Sequence, residues 1–158
     1  MLLSQNYSPL PAADAVLLSV KPKYSDLILA GQKRVEFRRV WAANDVRQIA
    51  VYSTAPVQRV VALVSVNEVV CEPPSKLWSH CAALGGGLTK RELLEYFQGK
   101  PRGFAILLGQ VRKLKRPVDP RDLFSAFTAP QSFRYLTLSE VKNLSKRVTV
   151  PVNNEKIA

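Results

Sequence analysis

Histidine and cysteine are nearly missing from this chain. Its 158 residues include one histidine, His80, and two cysteines, Cys71 and Cys81. A structural zinc site needs about four such ligands at recognisable spacing, and no CxxC pair occurs, so the sequence offers no metal centre. The expected state of the cysteines is two reduced, partly buried thiols. His80 adjoins Cys81, but neighbours in sequence rarely aim at each other, so the pair is not read as a nucleophile with its base.

Aromatic residues are also sparse, at 8%. No apolar run approaches the ~20 residues of a membrane helix. The opening stretch MLLSQNYSPLPAADA lacks the basic and long apolar segments of a signal peptide. A soluble, cytoplasmic protein with no cofactor and no membrane partner is the expectation. Acidic residues are few: 12 Asp plus Glu against 23 Lys plus Arg leave a formal net charge of +11. That balance favours polyanionic partners: RNA, DNA, nucleotides or acidic membrane surfaces.

With 47% apolar residues the chain can bury an ordinary core, and its length fits one domain. Residues 1–15 read as a loose leader, 16–147 as the domain and 148–158 as a frayed tail. Val16–Val20 is a short buried strand stopped by Pro22. Tyr24, Leu27 and Ile28 then follow helical spacing, and Gly31 can supply the left-handed turn that ends the helix. RVEFRRV alternates, with Val35 and Phe37 on one face and Arg34, Glu36 and Arg38 on the other. Strands follow at Gln48–Ser53 and at Val57–Val70, the latter long enough to bend midway. Leu77, Trp78 and Cys81 mark a helix, Gly85–Gly87 a flexible break, and Thr89 with Glu92 a capping box opening another helix. The break has no GK[ST] and is not a phosphate-binding P-loop. Gly103–Leu114 is a further strand, Pro117 and Pro120 bracket a turn, and Pro130–Leu138 is an edge strand or extended loop. Thr137 and Glu140 cap a final helix. The class is α+β: a mostly antiparallel sheet, able to close into a small barrel, with short flanking helices.

The chemistry concentrates in GQKRVEFRR, Gly31 to Arg39. Arginine neighbours favour the charged form of Glu36, which suits it to orient Lys33 or Arg38, or to accept from a base amino group. Arg38 can clamp a phosphate through two bonds. Lys21, Lys23, Arg34 and Arg39 extend the anion site, and Ser53 and Thr54 can donate to phosphate from a turn. Arg112, Lys113, Lys115 and Arg116 are the densest basic run, suited to sequence-independent phosphate contacts. Tyr24, Tyr52 and Trp78 are candidates for stacking a base. Gln131 and Ser132 are candidates to reach the site from the C-terminal segment. The competing reading of every charge run is a solvated face with weak ion pairs.

Leu17 to Arg39, with GxKxxExR as Gly31, Lys33, Glu36 and Arg38, resembles the ASCH domain, a branch of the PUA-like superfamily. VYSTAP (Val51 to Pro56), the PxxLW segment (Pro74 to Trp78), YFxG (Tyr96 to Gly99) and FAILL also fit, over roughly residues 16–137. The resemblance implies a PUA-like β-barrel with a nucleotide-sized cleft lined by GxKxxExR, and RNA or another nucleic acid as partner. It also implies an alternative: a metal-independent hydrolase of RNA or of a modified nucleoside, with Lys33, Glu36 and Arg38 as catalytic residues. One branch hydrolyses N4-acetylcytidine with a threonine three residues after its lysine. Glu36 stands there instead, and Glu68 and Glu72 are candidates for that branch's separate glutamate. A regulatory module with a protein partner is the third reading.

Overall fold

The computed structural model describes residues 11–149. In chain order its elements are β1 (Pro11–Val20), α1 (Pro22–Leu29), β2 (Val35–Arg38), β3 (Gln48–Ser53), β4 (Arg59–Glu72), α2 (Pro74–Leu84), α3 (Lys90–Tyr96), β5 (Gly103–Val118), β6 (Phe133–Thr137) and α4 (Leu138–Ser145). Residues 1–10 of the expected leader and 150–158 of the expected tail lie outside the described residues. Within the described chain, β1 already starts at Pro11. Beyond the expected domain end, Val148 bridges Leu114, and the Thr149 N–H donates to the Lys113 carbonyl at 2.8 Å. Among the described residues no helix is long and apolar enough to cross a membrane.

The strands form one six-stranded sheet in the order β2-β5-β4-β3-β1-β6. β1 and β3 run parallel, and the other four ladders are antiparallel. This is the expected α+β architecture, mostly antiparallel. The described ladders do not close it into a barrel, because β2 is only 4 residues long and pairs with β5 alone. A side chain crosses the gap instead: Arg38 Nη2, on β2, donates to the Ser19 carbonyl of β1 at 2.6 Å.

Two strand boundaries differ from expectation for physical reasons. β4 starts at Arg59 because Thr54–Gln58 turns back on itself, with the Val57 N–H donating to the Thr54 carbonyl at 3.1 Å. β5 continues through Pro117, where a turn was expected. The ladder between β4 and β5 shifts register from Val60↔Val118 to Ala62↔Lys113, so Pro117 falls in an irregularity where its missing N–H breaks no regular pairing. The bend expected within the long β4 appears as two register shifts, at Val64/Val66 and Val66/Glu68.

Both faces of the central strands are buried, which is why they read as continuous apolar runs. Ala15 and Leu17 of β1 pack with Tyr52, Leu63, Leu114 and Leu144 on one side. Val16, Leu18 and Val20 pack with Ile28, Ile49, Val51 and Ile106 on the other. A third cluster joins Val35 and Phe37 of β2 to Leu77, Cys81, Leu93 and Phe97. It fixes β2 against α2 and α3, so that β2's remaining face looks into a cleft. The helix ends follow the expected grammar. Gly31 adopts φ 74° just past α1, and capping boxes at Thr89/Glu92 and Thr137/Glu140 open α3 and α4.

Phe97 is buried and meets the Phe37 ring edge-on at 6.3 Å between centroids. Phe97→Ala is expected to lower stability by about 3–5 kcal/mol, whereas the exposed Leu94→Ala on the same helix should stay within about 0.5 kcal/mol; urea titration of both variants checks the contrast.

Candidate functional site

Between α1, β2, α3 and the turn after β3 lies a cleft of about 610 Å³, lined by Lys21, Tyr24, Lys33, Glu36, Phe37, Arg38, Thr54, Tyr96 and Gln131 among others. Lys33 sits in its wall. The chain leaves α1 through Gly31, and the Lys33 N–H donates to the Leu27 carbonyl at 3.0 Å, which turns the side chain inward. The residue is only 2% exposed. Its Nζ donates to the Gly86 carbonyl and lies 5.0 Å from the Tyr24 ring centroid and 5.7 Å from that of Phe37. A buried ammonium is tolerated only with such partners. Burial pushes the Lys33 ammonium below its ordinary 10.5; Glu36 and then Cys81 pull it up, and Arg38 pushes it down.

Gly86 explains the triple glycine. Gly85 takes φ 65° and ends α2, while Gly86 is buried with its carbonyl on Lys33. A Cβ at Gly86 would collide with Cys81 Sγ and stand 2.9 Å from Phe37 Cε2. The stretch expected as a flexible break is therefore an anchoring loop at this point.

Glu36 pairs with Ile106 across β2 and β5 and is 7% exposed. Its Oε1 accepts from the Phe37 N–H at 3.1 Å and lies 3.9 Å from Arg38 Nε. Its Oε2 is buried and has no hydrogen-bond partner among the described residues, and neither does Arg38 Nε. One wall thus presents a spare acceptor, the spare N–H groups of Lys33 and a spare guanidinium donor. Such a set is complementary to a ligand carrying both N–H groups and carbonyl or phosphate oxygens.

Lys21, Lys33, Glu36, Arg38 and Thr54 come together here, as does Gln131. Ser53 does not: it is buried and its hydroxyl bonds that of Ser25 at 2.8 Å, tying β3 to α1. Lys23, Arg34 and Arg39 are exposed and do not line the cleft. Arg112, Lys113, Lys115 and Arg116 lie on the far half of β5. Of the stacking candidates, Tyr24 lines the cleft, whereas Tyr52 and Trp78 pack into or against core clusters. Glu68 and Glu72 lie outside the cleft, and Glu72 Oε2 is 3.4 Å from His80 Nε2. Sequence reasoning missed Ser19, Leu88, Glu92, Glu95 and Tyr96. Glu92 reads as a capping residue and serves as one; nothing in the sequence says that the cap also faces the cleft. The Tyr96 hydroxyl donates to the Phe37 carbonyl at 3.3 Å.

The depressed proton affinity of Lys33 has a signed consequence. The unfolded chain binds this proton more tightly than the native one, so the Lys33 contribution to stability rises with pH up to 10.5. Tyr24 and Tyr96, both raised chiefly by burial, act oppositely above 10.0. The stability difference, wild type minus Lys33→Met, isolates the lysine and is expected to increase with pH; denaturant titrations from neutral to alkaline pH measure it. Gly86→Ala should cost about 1–3 kcal/mol through overpacking, measured the same way.

No family model matches the chain. It is 27% identical over 139 residues to an ASCH domain-containing ribonuclease of Zymomonas mobilis, spanning 85% of this chain and 93% of that protein. The crystal structure of ASCH from Zymomonas mobilis superposes with a TM-score of 0.78 at 26% identity, covering 87% of this chain and 97% of that one. The N-terminal domain of Staphylothermus marinus McrB shares the fold at a TM-score of 0.54 and 12% identity. The similarity in sequence and architecture to the Zymomonas ASCH protein runs over most of both chains and supports the ASCH family for this chain.

Proposed function

We propose that the cleft binds RNA, seating one nucleotide against Lys33, Glu36 and Arg38, with Lys21, Lys23, Arg34 and Arg39 attracting the flanking phosphates. The observation that carries this reading is Glu36 Oε2, buried and unpartnered beside a buried lysine. Leaving such an oxygen unsatisfied costs about 1–3 kcal/mol, and a base N–H entering the cleft removes that cost. Lys33 then donates to a base carbonyl or a phosphate oxygen, Arg38 Nε to a phosphate, and Tyr24 and Tyr96 offer rings for stacking. The ribonuclease name of the Zymomonas relative supports RNA as the polymer.

The same name favours a second reading, that the cleft also cuts its ligand. The lowered proton affinity of Lys33 suits it to assist proton transfer, with Glu36 orienting it and Arg38 stabilising charge that develops on phosphorus. Acetylcytidine hydrolysis fits the site less well, because Glu36 stands where the resemblance calls for a threonine.

Titration of a labelled RNA octamer tests binding. At about 50 mM salt the wild type should bind, with log K falling by about 0.7 per phosphate contact for each tenfold rise in salt. Arg38→Ala and Glu36→Gln should each weaken binding about tenfold or more. No RNA binding by the wild type at low salt would end the proposal. For cleavage, the same RNA is incubated and its fragments counted: Lys33→Ala should abolish turnover, and turnover that survives it would remove Lys33 from the chemistry.

A further inference from the structure

Beyond the cleft, the largest unexplained feature is a concentration of positive charge on the distal half of β5. Arg112, Lys113, Lys115 and Arg116 belong to this strand after it has run past the end of β2. The fold adds cations from elsewhere in the chain. The Lys115 N–H donates to the Arg147 carbonyl at 2.7 Å, and Leu114 bridges Val148, which sets Lys146 and Arg147 at the end of α4 beside the strand. Lys113, Lys115, Arg116 and Lys146 are exposed. Among the described residues none of these six cations lies within 4.0 Å of a carboxylate. Nearby Glu140 is engaged by Arg134 at 2.7 Å.

Like charges gathered without counter-charges repel and reduce stability. Lysine on a strand edge does have one purely structural use, since it blocks edge-to-edge pairing. That use needs charge of either sign, and it does not account for a helix end bringing more cations to the same place.

We propose that the distal half of β5 and the end of α4 form a second, sequence-independent surface for RNA phosphates, separate from the cleft. It takes its polymer from the RNA reading of the cleft. Phe104 of β5 pairs with Arg38 at the cleft wall, and Lys113 lies nine residues further along the strand, up to about 30 Å at strand rise. A stacked strand at ~3.4 Å per nucleotide crosses that distance with about nine nucleotides. A short RNA therefore occupies one surface at a time, and a long one gains from both through effective concentration.

The experiment compares RNAs of roughly 4 and 12 nucleotides on the full chain, wild type against the triple variant Lys113→Glu, Lys115→Glu and Arg116→Glu. These three side chains are exposed, and circular dichroism verifies that the variant folds. The variant should bind the 12-mer at least tenfold more weakly, with a salt slope shallower by about 2, while binding of the 4-mer in the cleft falls much less. Unchanged affinity for the 12-mer overturns the proposal, even where Arg38→Ala shows that the cleft binds. If the variant loses the 12-mer while Arg38→Ala binds both RNAs as wild type, the second surface stands and the cleft reading fails. Polyglutamate that binds the wild type as tightly as the 12-mer would make the surface a site for acidic proteins and overturn the RNA assignment.

Discussion

A lysine ammonium inside a protein wall has to be held, and much of this structure is arranged around holding Lys33. Its Nζ is met by the Gly86 carbonyl, by the faces of Tyr24 and Phe37 and by the field of Glu36. These four partners come from three parts of the chain: Tyr24 from α1, Glu36 and Phe37 from β2, and Gly86 from the loop between α2 and α3. The third core cluster carries Phe37 and clamps α2 and α3 to β2, so that cluster also fixes the Gly86 carbonyl and the Phe37 ring, while Tyr24 packs against the second cluster. Packing and site are thus one construction. A change that loosens Phe97 or fills the space at Gly86 reaches the ammonium through the groups that hold it.

The open edge of the sheet serves the same end. β2 pairs on one side only, and the gap toward β1 is crossed by Arg38 reaching the Ser19 carbonyl. A full ladder there would fill the gap with backbone hydrogen bonds. The guanidinium instead leaves room for a cleft and keeps one donor, Nε, without a hydrogen-bond partner, 3.9 Å from Glu36 Oε1. The proposed nucleotide reading rests on these uncommitted groups, since buried polar atoms are ordinarily paired.

Most of the fold was legible in the sequence because its signals are local. Pro22 and Gly31 delimit α1, Thr89 with Glu92 and Thr137 with Glu140 open α3 and α4, and the β-branched runs mark β3, β4 and β5. The misses follow from tertiary context. Pro117 reads as a turn residue but rides in an irregular part of the ladder. Gly85–Gly87 reads as slack, yet its middle residue is packed against Phe37 and bonded by Lys33, both far away in sequence. In the candidate site, GxKxxExR gave Lys33, Glu36 and Arg38 because strand alternation puts the last two on the face opposite Phe37. Glu92, Glu95 and Tyr96 stayed hidden, since a surface helix gives no sign of which groove it borders. Ser53 shows the converse: a turn hydroxyl looks available in the sequence, and in the fold it bonds Ser25.

The unpartnered groups around Lys33 are proposed as a nucleotide's binding partners. The most direct measurement is a crystal structure of the full chain soaked with a nucleoside monophosphate. The account predicts the base or its phosphate in the cleft, with an N–H on Glu36 Oε2 and an oxygen within hydrogen-bonding distance of Lys33 Nζ. A nucleotide bound elsewhere, with Glu36 Oε2 still unpartnered, would contradict it.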